Sequence, residues 1–445
     1  MTVQGGERLS AAEIVELSKR YTLFDWVAQS KSSPLAVSSA SGVYFTGADG
    51  KRYLDFNSQL MSVNAGHGDP RIAEAVAKQM REVAYVSSAG MTTEVRALLG
   101  RKLAELYPGD IEKSFFTLAG AEANENAIRM ARAVTGRQKI LARYRSYHGA
   151  TAGAITLTGD PRRWANEPGI PGVVHVLDFY HGTTRPTDTA ADALQVLEET
   201  IELEGSSTIA AFIVEPVTGT NGILIPPDGY LQGVRELCDR YGILLIADEV
   251  MSGFGRTGAW FAVDHWGVVP DLITCAKGLT SSYVPLGAVG LSPRVAEYFE
   301  DHVFPGGLTY NSHPVALAAA LATIRVYEED GLIEHAKKMG EVMRGHHEEL
   351  RARHPSVAAC RSIGLFGCLE LVRNPTTGEP MAPFNSSSPE MAELLRFMLD
   401  NGVFVSLHWN QVMTNPPLCI TEEQLAEGFA VLDRALSITD RAVDS

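Results

Sequence analysis

Lys277 ends the apolar run Asp271-Leu-Ile-Thr-Cys-Ala-Lys277, and Asp248 closes another, Ile243-Leu-Leu-Ile-Ala-Asp248. Short apolar runs flanked by Gly or Pro read as buried strands. An amine and a carboxylate therefore arrive at the carboxyl ends of two strands, where an open parallel sheet binds its ligands. An amine condenses with an aldehyde, and a carboxylate keeps a ring nitrogen protonated, so the pair suits pyridoxal phosphate. A lysine ending a strand is ordinarily an exposed edge cation. Its conjunction with Asp248 and with a phosphate-binding turn reverses that reading.

The turn is Phe115-Phe-Thr-Leu-Ala-Gly120-Ala121-Glu122, which runs strand, small residues, helix. Small residues let the backbone approach a ligand, and the helix that follows presents unpaired N–H groups to an anion. Taken alone it is a tight strand-to-helix turn and nothing more. Tyr147 and His148 follow the strand at 138–143, where a ring could stack on a planar cofactor or merely pack. Glu215 closes Ala210-Ala-Phe-Ile-Val and must be paired or face a cleft; a place in the site and an ion pair with the scaffold both stay open. Arg162 and Arg163 follow Pro161, either as a remote cation for a substrate acid group or as part of a surface turn.

Gly253-Phe-Gly255-Arg-Thr-Gly258 matches the dinucleotide fingerprint, which makes an NAD-dependent dehydrogenase the competing enzyme class. The context fails, because that fingerprint opens a helix and meets an acid about 20 residues on; here Ala259-Trp-Phe-Ala-Val follows and 278–283 holds no acid. His346 and His347 sit in a charged helical pattern and read as solvated, since helical metal ligands stand three or four residues apart. No metal site is read. No G-x-S-x-G elbow occurs.

The elements that position these residues alternate. A helix followed by a loop is expected over 11–31, and helices at 70–84, 92–107, 121–134, 229–241, 313–329, 331–353, 388–401 and 421–438. Strands are expected at 113–117, 138–143, 173–178, 210–215, 243–248 and 271–276, with a hairpin over 42–56 and an α+β tail containing 358–372. Repeated strand–helix units imply a mostly parallel sheet covered on both faces. The fold class is α/β, divided as an N-terminal segment at 1–65, a large domain at 66–325 and a small α+β domain at 326–445 that packs with the N-terminal hairpin.

With 445 residues, 45% hydrophobic and 20% charged, the chain reads as an ordinary globular protein. Its net charge of −15 disfavours nucleic acid and anionic membrane as partners. The five cysteines form no C-x-x-C pair or secreted framework, and apolar stretches such as Val315 to Val326 fall short of a bilayer span. With no leader pattern at the amino end, the reading is cytoplasmic.

Together Gly120-Ala121-Glu122, Tyr147-His148-Gly149, Glu215-Pro216, Asp248-Glu249-Val250 with Gly253–Gly258, Lys277-Gly278 and Thr309-Tyr310-Asn-Ser-His-Pro314 resemble the class III aminotransferases, from about Trp26 to the final helix. The resemblance implies a fold type I pyridoxal phosphate enzyme, working as a homodimer or a dimer of dimers with sites at the subunit interface. It makes Lys277 the Schiff-base lysine and proton carrier, and Asp248 the partner of the ring nitrogen. Val250 and Tyr147 lie on the two faces of the ring, Gly120 and Ala121 bind phosphate, and Thr309 reaches the phosphate of the neighbouring subunit. His148 and Glu215 join the cofactor contacts, and Trp26, Tyr147 and Arg163 the substrate contacts.

Three positions depart from the family pattern. Ala121 replaces a hydroxyl residue, and Met251 replaces a glutamine that many members use for the phenolic oxygen. Ser406, before Leu407-His408-Trp409, stands where an arginine often binds the substrate carboxylate. The His-Trp tail before Pro416-Pro417-Leu418 resembles the branch acting on taurine, β-alanine or 4-aminobutyrate. The expected activity moves an amino group from an ω-amino acid or amine to pyruvate or 2-oxoglutarate. A decarboxylase or an aminomutase of the same fold is the alternative, because the bond that breaks depends on how the pocket orients the substrate.

Overall fold

The computed structural model describes residues 9–177, 179–180 and 189–444. Seven strands build the central sheet: β1 (Lys113–Thr117), β2 (Lys139–Arg143), β3 (Val173–Val176), β4 (Ile209–Val214), β5 (Leu244–Asp248), β6 (Leu272–Cys275) and β7 (Gly287–Leu291). Their spatial order is β1-β7-β6-β5-β4-β2-β3. The pairs from β3 to β6 are parallel. β7 runs antiparallel to both of its neighbours. Asp178, the last residue of the strand expected at 173–178, lies outside the described residues.

β4 to β6 are buried along their whole length. Helices Gly120–Thr135 and Tyr230–Tyr241 cover opposite faces of the sheet, and their apolar sides enter separate core clusters. This burial on two sides is why these strands read as continuous apolar runs instead of alternating ones.

Within the central sheet, β7 is the strand the sequence reading does not contain. Two of its five residues are glycines, which weaken a strand pattern. Packing demands both. A Cβ on Gly290 would stand 2.6 Å from Ile273 Cγ2, and one on Gly287 would stand 2.4 Å from Thr117 Oγ1.

The chain ends meet in a second sheet. Strands Val37–Ser41, Tyr44–Gly47 and Arg52–Asp55 form a meander, and Val403–Phe404 adds to it in parallel register with Leu54 and Asp55. The helix near the amino end covers Ala11–Tyr21 and a loop follows it, as expected over 11–31. In the tail, the stretch at 358–372 is an antiparallel pair, Val357–Ile363 with Phe366–Asn374, turned at Gly364 with φ +55°. Strands Gln411–Thr414 and Ser406–His408 extend that sheet. Helices Leu332–Arg353, Pro389–Asp400 and Glu422–Asp440 complete the tail.

His347 corrects one expectation. It is buried, its Nε2 lies 3.0 Å from Thr414 Oγ1, and burial pushes its pKa down to about 3, so it is a neutral core histidine. Among the described residues no helix is long and apolar enough to cross a membrane, and no cluster of side chains could hold a metal ion. All five cysteines are free thiols.

Candidate active site

Strands β1, β2, β4, β5 and β6 all deliver their carboxyl ends to one cavity of about 480 Å³, and residues just beyond those ends line it: Gly120, Tyr147, Glu215, Asp248 and Lys277. Ala121, His148, Val250 and Met251 share the lining. The sheet's parallel sense places groups from positions 120 to 277 side by side.

Asp248 is buried and fully engaged on one oxygen. His148 Nδ1 lies 2.7 Å from Asp248 Oδ2, and Asn124 Nδ2 donates to the same oxygen at 2.8 Å. Among the described residues, Asp248 Oδ1 accepts only the Val250 amide, at 3.0 Å. A carboxylate oxygen has two acceptor directions, so Oδ1 keeps one for a ring N–H. Asn124 is fixed in turn: Thr274 Oγ1 donates to its Oδ1 at 2.8 Å, and its Nδ2 also reaches the His148 carbonyl. Asn124 and Thr274 are absent from the sequence reading. A buried amide on the Ala-rich face of helix Gly120–Thr135 was the available signal, since a buried polar group needs a partner.

Lys277 follows β6 with φ +45°, a left-handed conformation that an ordinary side chain adopts only under constraint. It is half-buried. Desolvation lowers its pKa to about 8, although Asp248 and Glu215 pull the other way. A lysine so placed releases its proton far more readily than one in water.

Glu215 resolves its open alternatives toward backbone contacts. Its Oε1 accepts the Tyr147 amide at 2.9 Å and its Oε2 the Gly219 amide at 2.8 Å, and burial raises its pKa. It lines the cavity and holds Tyr147 by the main chain.

Ala119, the N-cap of helix Gly120–Thr135, makes no side-chain cap, which leaves first-turn N–H groups for an anion. Glycine is required at 120, because a Cβ there would meet Val250 Cγ1 at 2.7 Å. The cavity thus offers an anion cradle, a small residue beneath a planar ring, an acceptor for a ring nitrogen, and an amine. These fit pyridoxal phosphate, for which Gly120 and Ala121 would hold the phosphate, Val250 and Tyr147 the ring faces, Asp248 the ring nitrogen and Lys277 the aldehyde.

At the mouth, the Arg162 guanidinium lies 3.8 Å over the Tyr147 ring and 5.8 Å from that of Trp26. Arg163 takes a different direction, with Nη1 2.9 Å from His175 Nδ1 and Nε 3.3 Å from Glu167 Oε1. Trp26 is 64% exposed. Thr309 is exposed, outside the cavity lining, and its carbonyl accepts from the Tyr85 hydroxyl at 2.7 Å.

The glycine loop is not a nucleotide cradle. It leads into the short 3₁₀ turn Ala262–Trp266, and a Cβ on Gly255 would strike Ile333 Cδ1 at 2.5 Å. The loop's Arg256 is fully buried and donates to the Leu365 and Pro416 carbonyls, Ser58 Oγ and Asn64 Oδ1. The loop is a packing joint between the N-terminal segment, the sheet and the tail.

Fold and site together define a pyridoxal phosphate enzyme that acts on amines. Comparison with known proteins places it further. Residues 27–436 match the family described as Aminotransferase class-III. The putrescine–pyruvate aminotransferase of Pseudomonas aeruginosa is 34% identical over 92% of this chain and 91% of that protein. The taurine–pyruvate aminotransferase of Bilophila wadsworthia is 34% identical over 97% of this chain and 98% of that protein. The crystal structure of the taurine:2-oxoglutarate aminotransferase of Bifidobacterium kashiwanohense, in complex with pyridoxal phosphate and glutamate, is 39% identical and covers 99% of this chain and 100% of that one, with a TM-score of 0.95. The chain belongs to the class III aminotransferases, of the ω type. Its fold is fold type I, its cofactor is pyridoxal phosphate, and its substrates are an amine donor and a 2-oxo acid acceptor.

Proposed function

We propose that the enzyme takes the amino group of an ω-amino acid of the taurine, β-alanine or 4-aminobutyrate type and gives it to pyruvate or 2-oxoglutarate in two stages, the donor leaving as its carbonyl product before the oxo acid enters. The observation that carries this reading is the stack of Arg162 on Tyr147, with Trp26 beside it, at the mouth of the Lys277 cavity. An ω-amino acid carries its acid group away from the reacting carbon and needs a cation there, not beside Lys277.

Bound pyridoxal phosphate supplies the electron-withdrawing ring that weakens the bonds at the amine-bearing carbon. Lys277 Nζ, neutral above its lowered pKa, takes the proton from that carbon. Asp248 keeps the ring nitrogen protonated, and His148 and Asn124 hold the carboxylate in place. Glu215 fixes the Tyr147 backbone, so the aromatic face stays over the cavity.

The active unit in this reading is a homodimer or a dimer of dimers. Met80, Val83, Tyr85, Met91, Val303 and Tyr310 are exposed, and the Tyr85–Thr309 bond ties the two segments that carry them. An apolar surface of this kind is suited to a second copy, whose cavity Thr309 would then face.

The test is the holoenzyme with taurine, β-alanine, 4-aminobutyrate or putrescine and either oxo acid, assayed for alanine or glutamate. Activity with at least one ω-amino acid, giving parallel double-reciprocal lines, is the expected result. No product from taurine, β-alanine or 4-aminobutyrate would overturn it, whether or not putrescine reacts.

A further inference from the structure

Arg162 at the mouth and Arg145 both act electrostatically on His408, Arg145 and Arg361 share the Tyr180 ring, and the three guanidinium groups differ in how their charge is met. Arg162 Nε donates to both oxygens of Asp160, at 3.1 and 2.9 Å, and its Nη2 donates to Thr220 Oγ1. Arg361 Nη2 pairs with Glu370 Oε2 at 2.7 Å. Arg145 has no carboxylate and no hydrogen-bond acceptor among the described residues. It is instead surrounded by rings: its guanidinium carbon lies 5.3 Å from the Tyr180 centroid, 5.8 Å from Phe384 and 5.9 Å from Trp409. Those rings come from three separate stretches of chain, and Phe384 packs on Trp409 at 4.6 Å.

Aromatic faces stabilise a guanidinium without using its N–H edges. The cage therefore holds Arg145 in place and leaves its in-plane donors free for a bidentate carboxylate. Arg145 also stands two residues before Tyr147, so their Cα atoms are at most about 7 Å apart. His408 ties the two regions together. Its ring lies 4.1 Å from that of Trp409, its Nε2 is buried without a partner among the described residues, and burial, Arg162 and Arg145 keep it neutral, with a pKa of about 4. The hairpin that carries His408 contains no lysine or arginine, Ser406 included.

We infer that Arg145, with the free His408 Nε2 beside it, is the docking point for the second carboxylate of a dicarboxylic 2-oxo acid, so that the acceptor is of the 2-oxoglutarate class and its discrimination from pyruvate depends on this residue. Pyruvate has no group to place there. The inference rests on the amino-transfer reading above and adds to it the identity of the acceptor.

The experiment uses the enzyme loaded with pyridoxamine 5′-phosphate, so that no donor need be known. Its absorbance change on adding 2-oxoglutarate or pyruvate is followed under single-turnover conditions, and glutarate, which cannot react, is titrated into the pyridoxal phosphate enzyme by calorimetry. Wild type is expected to react with 2-oxoglutarate in preference to pyruvate. Arg145→Gln is expected to lower the ratio of the two rate constants at least tenfold and to weaken glutarate by a similar factor, while Arg145→Lys recovers part of both. A wild type that prefers pyruvate, or an Arg145→Gln ratio and glutarate affinity within twofold of wild type, overturns the inference and leaves amino transfer standing. A wild type that reacts with neither acid while glutarate binding still depends on Arg145 overturns amino transfer and leaves the carboxylate site standing.

Discussion

His148 Nδ1 lies 2.7 Å from Asp248 Oδ2, and both side chains are buried. An ionised carboxylate only accepts, so the imidazole donates from Nδ1 and its tautomer is set by Asp248. His148→Ala removes a hydrogen bond to a charged group, a class of interaction worth about 1.5–3 kcal/mol. The variant is expected to lose at least tenfold in kcat while still binding cofactor, because Asn124 continues to hold the same oxygen. Asp248→Asn, which cannot keep a ring nitrogen protonated, is expected to lose far more. Steady-state kinetics with the absorbance spectrum of the bound cofactor separate the two effects. Equal losses in the two variants would remove the hierarchy.

Lys277 gives a pH prediction with a definite sign. Its pKa in the folded protein falls from 10.5 to about 8 through desolvation. Between those values the unfolded chain holds a proton that the folded lysine has released, so stability of the apoprotein from this group rises with pH across that window. Cofactor capture needs the neutral amine, and its rate is expected to climb with a midpoint near pH 8. Mixing apoprotein with pyridoxal phosphate at a series of pH values and following absorbance checks this. Lys277→Ala is expected to abolish turnover yet still bind the cofactor; retained catalysis in that variant would sink the assignment.

Sequence legibility followed burial. β4, β5 and β6 are enclosed on both faces, so an ionisable residue ending each run stood out, and Lys277, Asp248 and Glu215 were visible for that reason. β7 was not visible, because close packing on Ile273 and Thr117 forces glycine at 290 and 287 and removes the apolar signal. Asn124 carried only a weak signal for another reason: an amide on a helix does not reveal its partners, and Asp248 and Thr274 lie 124 and 150 residues downstream. Arg162 and Arg163 were indistinguishable as neighbours on one turn. The structure separates them through Asp160, the N-cap that engages Arg162 beside Tyr147, and through His175, which engages Arg163.

Gly120 and Val250 form a steric pair under the cofactor site. Gly120→Ala places a methyl group 2.7 Å from Val250 Cγ1, too close for any real contact. Overpacking of this kind costs about 1–3 kcal/mol, felt where helix and strand meet around the phosphate. Affinity for pyridoxal phosphate is expected to fall about tenfold. Adding Val250→Ala opens the space, and the double variant is expected to bind more tightly than Gly120→Ala alone. Fluorescence titration of the apoproteins measures both; a double variant weaker than the single one would mean that Gly120 serves some need other than clearance from Val250.

Arg162 and Arg163 are adjacent in sequence but opposed in consequence. Arg162 spans Tyr147 and Trp26 at the mouth and keeps Nη1 without a partner among the described residues, while Arg163 is spent on His175 and Glu167. His175 is neutral, its pKa held near 4 by burial and by Arg163, so it accepts from the guanidinium and adds no charge to the site. Arg162→Gln is expected to raise KM for an ω-amino acid at least tenfold and to change KM much less for a diamine such as putrescine, which has no acid group to place. Arg163→Gln is expected to leave both KM values within twofold and to lower thermal stability instead. Measuring the two donors on the two variants decides it: if Arg163→Gln raises KM for the amino acid and Arg162→Gln does not, the acid group is held on the His175 side and the mouth has been assigned to the wrong arginine.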